Sequence, residues 1–97
     1  MGNLSVTIIT LNEEKNIRDA LESVKWADEI IVVDSGSSDK TVDICKEYTD
    51  KVFFNPWPGH IAQKNFAIAK TSNIWILSID ADERITPELA KEIKEIV

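Results

Sequence analysis

Short apolar runs alternate with segments of helical periodicity along the whole chain, and this alternation constrains the fold more than any other feature. The runs at residues 4–10, 29–34, 51–54 and 73–80 are of strand length, and most are rich in Val, Ile and Thr. Long runs without polar alternation are typical of strands buried on both faces of a parallel sheet. The order β-α-β-α-β-α-β-α therefore predicts an α/β fold, with a parallel sheet between layers of helices.

Four segments between and after these runs carry a single apolar stripe, which predicts amphipathic helices. The residues expected to face the core are Ile17, Ala20, Leu21 and Val24 in the first helix, Val42, Cys45 and Tyr48 in the second, Ala62, Phe66 and Ala69 in the third, and Leu89, Ile93 and Ile96 in the fourth. Capping residues precede three of the helices: Asn12, then Ser37 or Ser38, then Thr86 followed by Pro87.

Size, charge and cysteine content exclude several classes of protein. The 97 residues suffice for one small domain, and their net charge of −6 leaves no basic face of the kind that nucleic-acid binders carry. No apolar run approaches the roughly 18 residues of a membrane span, and no signal-peptide pattern is present. A single cysteine, Cys45, excludes an internal disulfide framework and a cysteine-based zinc site. We expect a cytoplasmic domain without a nucleic-acid partner.

Carboxylates and hydroxyl groups follow three of the predicted strands, at residues 10–13, 34–37 and 80–83. Ligands of open parallel sheets bind beyond the carboxyl ends of the strands, so these side chains predict a site there. Asp80 and Asp82 form an Asp-X-Asp pair that could share Mg²⁺ or Mn²⁺, since both ions prefer oxygen ligands. The alternative is that the pair only closes a turn.

Other polar and aromatic residues near this edge also allow two interpretations. Asp34 could bind a base or ribose, or it could hydrogen-bond its own turn. Lys64 could reach a phosphate, or it could be a solvated helix lysine. His60 is expected to be a loop or capping residue. Trp57 lies in a proline-rich loop and could stack on a ligand, whereas Trp26 and Trp75 are expected in the core.

Four sequence blocks, taken together and in order, resemble family-2 glycosyltransferases. They are residues 6–14, residues 29–41 with Asp34-Ser35-Gly36-Ser37, residues 63–67, and residues 77–83 with Asp80-Ala81-Asp82. Within that family the likeness is greatest to bacterial lipopolysaccharide-core β-1,4-glucosyltransferases, through residues 21–27, 33–37 and 81–89. The resemblance implies a Rossmann-like GT-A fold, of which residues 1–97 would be the nucleotide-sugar-binding part.

The resemblance also implies a role for individual residues. Thr10, Asn12 and Glu13 would line the nucleoside pocket, and Asp34 would contact the base or ribose. Lys64 stands where many members carry arginine near the nucleotide. Asp80 would face the ribose or sugar, and Asp82, together with Asp80, would hold the metal. Ser35 replaces the second aspartate that many members carry after strand two, so base recognition is expected to differ.

Partners and chemistry follow from the same resemblance. It implies a nucleotide-diphosphate sugar donor such as UDP-glucose, Mg²⁺ or Mn²⁺, and inverting transfer to a lipopolysaccharide-core or other cell-envelope acceptor. The general base that deprotonates the acceptor belongs to a later acceptor-binding half, so no residue here is assigned that role. We expect the full-length protein to associate with the inner face of the cytoplasmic membrane, and the fragment to self-associate and to be inactive alone. The alternative is a non-catalytic α/β module that binds a nucleotide or a protein.

Overall fold

A computed structural model describes residues 3–97 as four parallel strands and four helices in strict alternation. The strands are β1 (Leu4–Thr10), β2 (Glu29–Asp34), β3 (Val52–Phe54) and β4 (Trp75–Asp80). The helices are α1 (Ile17–Val24), α2 (Thr41–Cys45), α3 (His60–Ala69) and α4 (Pro87–Ile96). All strand pairs are parallel and the strand order is β3-β2-β1-β4. The predicted α/β topology is confirmed, with β1 at the centre of the sheet.

Every residue of β1 and β2 is buried, as their continuous apolar sequences predict. Alternate residues of β2 contribute to opposite faces: Ile30 and Val32 belong to the core on one face, and Ile31 and Val33 to the core on the other. The first core contains the predicted stripe of α1, from which Leu21 is fully buried. The second core is smaller and includes Ala67 of α3. The two central strands thus form a rigid base for the loops at their carboxyl ends.

The expectation that β4 is buried on both faces is wrong. β4 is an edge strand, so it has one neighbour and incomplete cover. Ile74, just before it, is 95% exposed, and Ile76 is 36% exposed. Trp75, expected in the core, is 44% exposed. Trp26, in contrast, is half-buried and packs against the larger core.

Helix α3 turns a different side to the sheet from the one predicted. Ala62 and Ala69 are exposed and Phe66 is half-buried, whereas Gln63 and Ala67 are fully buried. The apolar stripe was misleading here because the buried side includes a polar residue whose hydrogen-bond partners come from other parts of the chain.

Two of the three predicted caps are also wrong. Asn16 precedes α1 and Lys40 precedes α2, and neither Asn12 nor Ser37 nor Ser38 caps these helices. The third prediction is confirmed, since the Thr86 hydroxyl accepts a hydrogen bond from the Leu89 amide at the start of α4.

The inner side of α4 differs from the predicted stripe. Leu89 and Ile96 are 42% and 67% exposed, whereas Ala90 is buried and Ile93 packs against the larger core. No helix within residues 3–97 is long and apolar enough to cross a bilayer.

Candidate functional site

The sheet register brings the ends of three strands side by side. Thr10, at the end of β1, pairs with Asp34 at the end of β2. On the other side, Ile9 pairs with Asp80 at the end of β4. The polar residues that follow these strands therefore start from adjacent positions on one edge of the sheet, as expected for a parallel α/β fold.

A cavity of about 470 Å³ opens at this edge between β1, β4 and the loop before α3. Four of the predicted site residues line it: Thr10, Glu13, Asp80 and Asp82. Its volume falls in the range of roughly 300–1,000 Å³ that is common for small-molecule sites. Asn12, Asp34 and Lys64 do not line this cavity.

Two polar atoms at the cavity are buried without a hydrogen-bond partner within residues 3–97: Thr10 Oγ1 and Asp80 Oδ1. The Asp80 backbone, by contrast, is well held. Its amide donates to Glu83 Oε1 over 2.6 Å, and its carbonyl accepts from the Glu83 amide over 3.0 Å. The turn therefore fixes the backbone of Asp80 and leaves a carboxylate oxygen unsatisfied, which is costly unless a ligand completes it.

The donor set at this turn suits a hard divalent cation that also binds phosphate. Asp80 supplies the unpartnered oxygen, and Asp82, exposed two residues later, supplies a second carboxylate. Within residues 3–97 no group of three or more Asp, Glu, His or Cys side chains could by itself hold a metal. Magnesium is commonly held by one or two carboxylates, with substrate phosphates and water completing its octahedron. The residues present fit that mode of binding.

Asp34 accepts hydrogen bonds from the turn that follows it, which is the alternative to a direct contact with a base or ribose. Its Oδ2 accepts from the amides of Gly36 and Ser37 over 2.9 and 2.7 Å, and its Oδ1 accepts from the Ser37 hydroxyl. The residue is only 3% exposed. In this structure the Asp34 carboxylate shapes the loop after β2.

Reciprocal hydrogen bonds connect the loops after β1 and β2, and no sequence pattern predicts them. The Asn12 amide donates to the Ser37 hydroxyl, and the Ser38 amide donates to Asn12 Oδ1, both over 2.8 Å. The Glu13 amide donates to Thr41 Oγ1 over 2.9 Å. Thr41 Oγ1 in turn donates to Asp39, and this hydrogen bond lowers the pKa of Asp39. This loop clasp, formed by residues 12–14 and 37–41, holds Glu13 beside the cavity.

Lys64 is half-buried on α3, away from the cavity, but its neighbour Gln63 has a clear structural role. Gln63 Oε1 accepts from Asn55 Nδ2 over 2.8 Å, and Gln63 Nε2 donates to Ser35 Oγ over 3.1 Å. Gln63 therefore joins the loop after β3 to the end of β2. Ser35, the residue that departs from the family pattern, is one of its partners.

Trp57 and His60, from the loop before α3 and from the start of α3, also line the cavity. Their rings meet edge to face, with centroids 5.6 Å apart and planes inclined by 70°. Trp57 is 54% exposed, so its ring remains available to a ligand. The sequence predicts Trp57 as a residue that could stack on a ligand. It predicts His60 only as a loop or capping residue, because it shows no partner for the imidazole. Cys45, in contrast, is buried away from the site, and burial chiefly, with the negative charge of Asp34, raises the pKa of its thiol to about 12.

The sequence pattern that defines glycosyl transferase family 2 matches residues 5–96, nearly the whole chain. The chain belongs to glycosyl transferase family 2. This membership confirms the predicted family and agrees with the GT-A type of parallel sheet.

Individual relatives agree with this membership. An uncharacterized glycosyltransferase of Rickettsia typhi is 48% identical over 97 residues, which cover 99% of this chain and 33% of that protein. The lipopolysaccharide core biosynthesis glycosyltransferase LpsC of Rhizobium meliloti is 38% identical over 99 residues, covering 97% of this chain and 37% of LpsC. The chain thus spans about a third of the length of the curated relatives it matches.

A solved structure adds information on ligands. Glucosyl-3-phosphoglycerate synthase of Mycobacterium tuberculosis, crystallised with Mn²⁺, UDP and glucosyl-3-phosphoglycerate, superposes with a TM-score of 0.72 at 27% identity. The match covers 86% of this chain and 36% of the synthase. A protein with this fold therefore binds a uridine nucleotide together with a divalent metal.

Proposed function

We propose that this part of the protein binds the nucleotide-diphosphate portion of a sugar donor at the cavity between β1 and β4. Asp82 and Asp80 would hold Mg²⁺ or Mn²⁺, and the residues after β1 would contact the nucleoside. The family and the ligands of the mycobacterial synthase support this proposal. The observation that carries it is the Asp80 carboxylate oxygen, which is buried and has no hydrogen-bond partner in the described part of the chain, two residues before the exposed Asp82.

Each residue of the site would contribute to binding in a different way. The metal would neutralise the charge that develops on the leaving diphosphate. Thr10 Oγ1, buried without a hydrogen-bond partner from Asn3 to Val97, would donate a hydrogen bond to the nucleotide. Glu13, held by the loop clasp, would accept hydrogen bonds from a ribose or base. Asn12 and Asp34 would act on the nucleoside indirectly, by fixing the clasp and the turn after β2.

The finer chemistry of the whole protein is proposed by likeness. We propose UDP-glucose as the donor and a lipopolysaccharide-core acceptor, in agreement with the ligands and name of the synthase and with the name of LpsC. We also propose inverting displacement as the reaction, from the resemblance of the sequence blocks alone. An inverting transferase needs a general base to deprotonate the acceptor hydroxyl. We propose that this base belongs to an acceptor-binding part of the protein outside residues 1–97. We also propose that the whole protein works in the cytoplasm, at the inner face of the membrane that carries its acceptor.

Calorimetric titration of the chain with UDP, with and without Mn²⁺, tests the proposal. We expect binding that depends on the metal and is lost in Asp82→Asn, which preserves shape but removes the charge. Asp50→Asn is the matched control, because Asp50 is an exposed aspartate that precedes β3. It therefore lies near the amino-terminal ends of the strands, whereas the candidate site lies at their carboxyl ends. Metal-dependent UDP binding that survives Asp82→Asn, or no binding by the wild-type chain, would contradict the proposal.

A further inference from the structure

We propose that Trp57 is the stacking surface for the sugar ring of the donor, a role that rests on the proposed function. Trp57 is a large, exposed aromatic side chain that lines the same cavity as Asp80 and Asp82. The inference concerns specificity for the sugar, whereas the proposed function concerns the nucleotide and its metal.

The chain brings Trp57 to this position from the far side of the sheet. Trp57 follows β3, at one edge, whereas Asp80 and Asp82 follow β4, at the other. The loop after β3 must therefore turn back over the ends of β2 and β1 before α3 begins. Its first step is fixed, since the Asn55 amide donates to the Asp34 carbonyl over 2.9 Å.

The loop that carries Trp57 is held at both ends. Gln63, fully buried, accepts from Asn55 Nδ2 and donates to the Asn55 carbonyl over 3.2 Å. At the other end Gly59 has φ +108°, a conformation that favours glycine, and the chain enters α3 directly after it. The edge-to-face contact with His60 further limits the Trp57 ring. An aromatic surface fixed in this way loses little side-chain entropy when a ligand stacks on it.

The aromatic and acidic side chains that line the cavity match the two kinds of surface that a pyranose ring presents. A hexose has C–H groups on its ring faces, which suit an aromatic ring, and hydroxyl groups at its rim, which suit carboxylates. Trp57 offers the first surface, and Asp80 and Asp82 offer the second. Because the sugar is esterified to the terminal phosphate, a diphosphate held at Asp80 and Asp82 places the sugar beside it, within this cavity.

The position of Trp57 favours the sugar over the base as its ligand. Of the four residues expected around the nucleoside, Thr10 and Glu13, after β1, line the cavity together with Trp57. The other two, Asn12 and Asp34, do not line it. Asp34 lies at the end of β2, beyond β1 as seen from Asp80. The base would therefore extend toward β2, while Trp57 remains on the phosphate and sugar side.

Calorimetric titration of four proteins with UDP and with UDP-glucose, each with Mn²⁺, tests the inference. The proteins are the wild-type chain, Trp57→Ala, Trp57→Phe and the control Trp75→Ala. Trp75 is also a partly exposed tryptophan, but it lies at the start of β4, away from the cavity. From the usual strength of aromatic contacts, we expect Trp57→Ala to weaken UDP-glucose binding roughly 3- to 10-fold. UDP binding should stay within about 2-fold of wild type, and Trp57→Phe should restore most of the affinity for UDP-glucose.

The outcomes separate this inference from the proposed function. An equal loss for UDP and UDP-glucose in Trp57→Ala would assign Trp57 to the nucleotide and overturn the inference, while leaving the proposed function intact. Unchanged affinity for both ligands would also overturn it. Failure of the wild-type chain to bind either ligand would overturn the proposed function and this inference together. Thermal unfolding of each variant, monitored by circular dichroism, verifies that the fold is retained.

Discussion

Gln63 Nε2 donates a hydrogen bond to Ser35 Oγ over 3.1 Å, which links α3 to the end of β2 across 28 residues of sequence. Gln63 also exchanges hydrogen bonds with Asn55, at the start of the loop that carries Trp57. A fully buried amide with all these partners stabilises one arrangement of the surrounding loops, because any other arrangement leaves polar groups unsatisfied.

Gln63→Leu should destabilise the chain by about 1–3 kcal/mol, the usual cost of leaving buried polar partners unpaired. Lys64→Leu is the control, since Lys64 is the next residue of the same helix and is only half-buried. Urea unfolding gives the free energy for each variant. A loss below about 0.5 kcal/mol, typical of surface substitutions, would mean that the buried hydrogen bonds of Gln63 contribute little.

The strands were predictable from the sequence, but the sheet order was not. Continuous apolar runs predict β1 and β2, because successive side chains of a strand point to opposite faces of the sheet. A strand covered on both faces therefore buries every residue. No local pattern states that β4 lies at an edge, so Trp75 and Ile76 were misjudged. The prediction for the buried side of α3 is wrong for a different reason. The polar side chain of Gln63 can be buried because it hydrogen-bonds Ser35, a residue distant in sequence.

Glu29 is a buried carboxylate with several hydrogen-bond partners. It lies at the start of β2, and the candidate site lies at the other end of the strands. It accepts hydrogen bonds from Ser5, from the Lys51 ammonium and from the amide and hydroxyl of Ser72. Burial alone would raise its pKa, but these hydrogen bonds outweigh burial and lower the pKa of Glu29 to about 2. Glu29, in β2, thereby connects β1 with the segments that precede β3 and β4.

The stability of the chain should therefore fall as the pH drops from about 5 to 2. The folded-state pKa of Glu29 lies below its unfolded value of roughly 4.3, so the unfolded chain takes up more protons in this range. We expect Glu29 to account for roughly 2–3 kcal/mol of the loss. The free-energy difference between wild type and Glu29→Gln should be largest above pH 5 and shrink toward pH 2. Parallel pH profiles for the two proteins would contradict this, and the exposed Glu95→Gln is the control.

Asn12 contributes to the loop clasp through both its backbone and its side chain. Its φ of +51° lies in the left-handed region, which asparagine tolerates better than alanine and which glycine adopts freely. Asn12→Gly removes only the side-chain hydrogen bond to Ser38, whereas Asn12→Ala also strains the backbone. We expect Asn12→Ala to be less stable than Asn12→Gly by about 1 kcal/mol in urea unfolding. The reverse order of stability would show that the left-handed conformation is not maintained in solution.

The outer edge of β4 should promote self-association of the chain. An unpaired edge strand with exposed apolar side chains can pair with another chain, and Ile76 is 36% exposed on this strand. Light scattering after gel filtration should show a mass that rises with concentration for wild type. Ile76→Lys should reduce it, since an edge lysine opposes pairing. Ile61→Lys, a similar change on α3, should have little effect, and a monomeric wild type at every concentration would contradict the prediction.

The sequence predicts the two carboxylates of the candidate site, Asp80 and Asp82, but only some of the other residues that line or support it. Asp80 and Asp82 were evident because they follow an apolar run at a strand end, where ligands of parallel sheets bind. Thr41 and Gln63, which position the surrounding loops, have partners far away in sequence, and no spacing rule indicates them. His60 reaches the cavity only because the loop after β3 turns back over the sheet.

The central claim is that UDP and a divalent metal meet at the turn after β4. Paramagnetic broadening by Mn²⁺ in amide NMR spectra, recorded with and without UDP, tests it most directly. The account predicts UDP-dependent broadening that is strongest for residues 80–83 and 10–13 and around His60, and that disappears in Asp82→Asn. Broadening concentrated at the opposite edge of the sheet, around residues 28–29 and 50, or broadening indifferent to UDP, would contradict it.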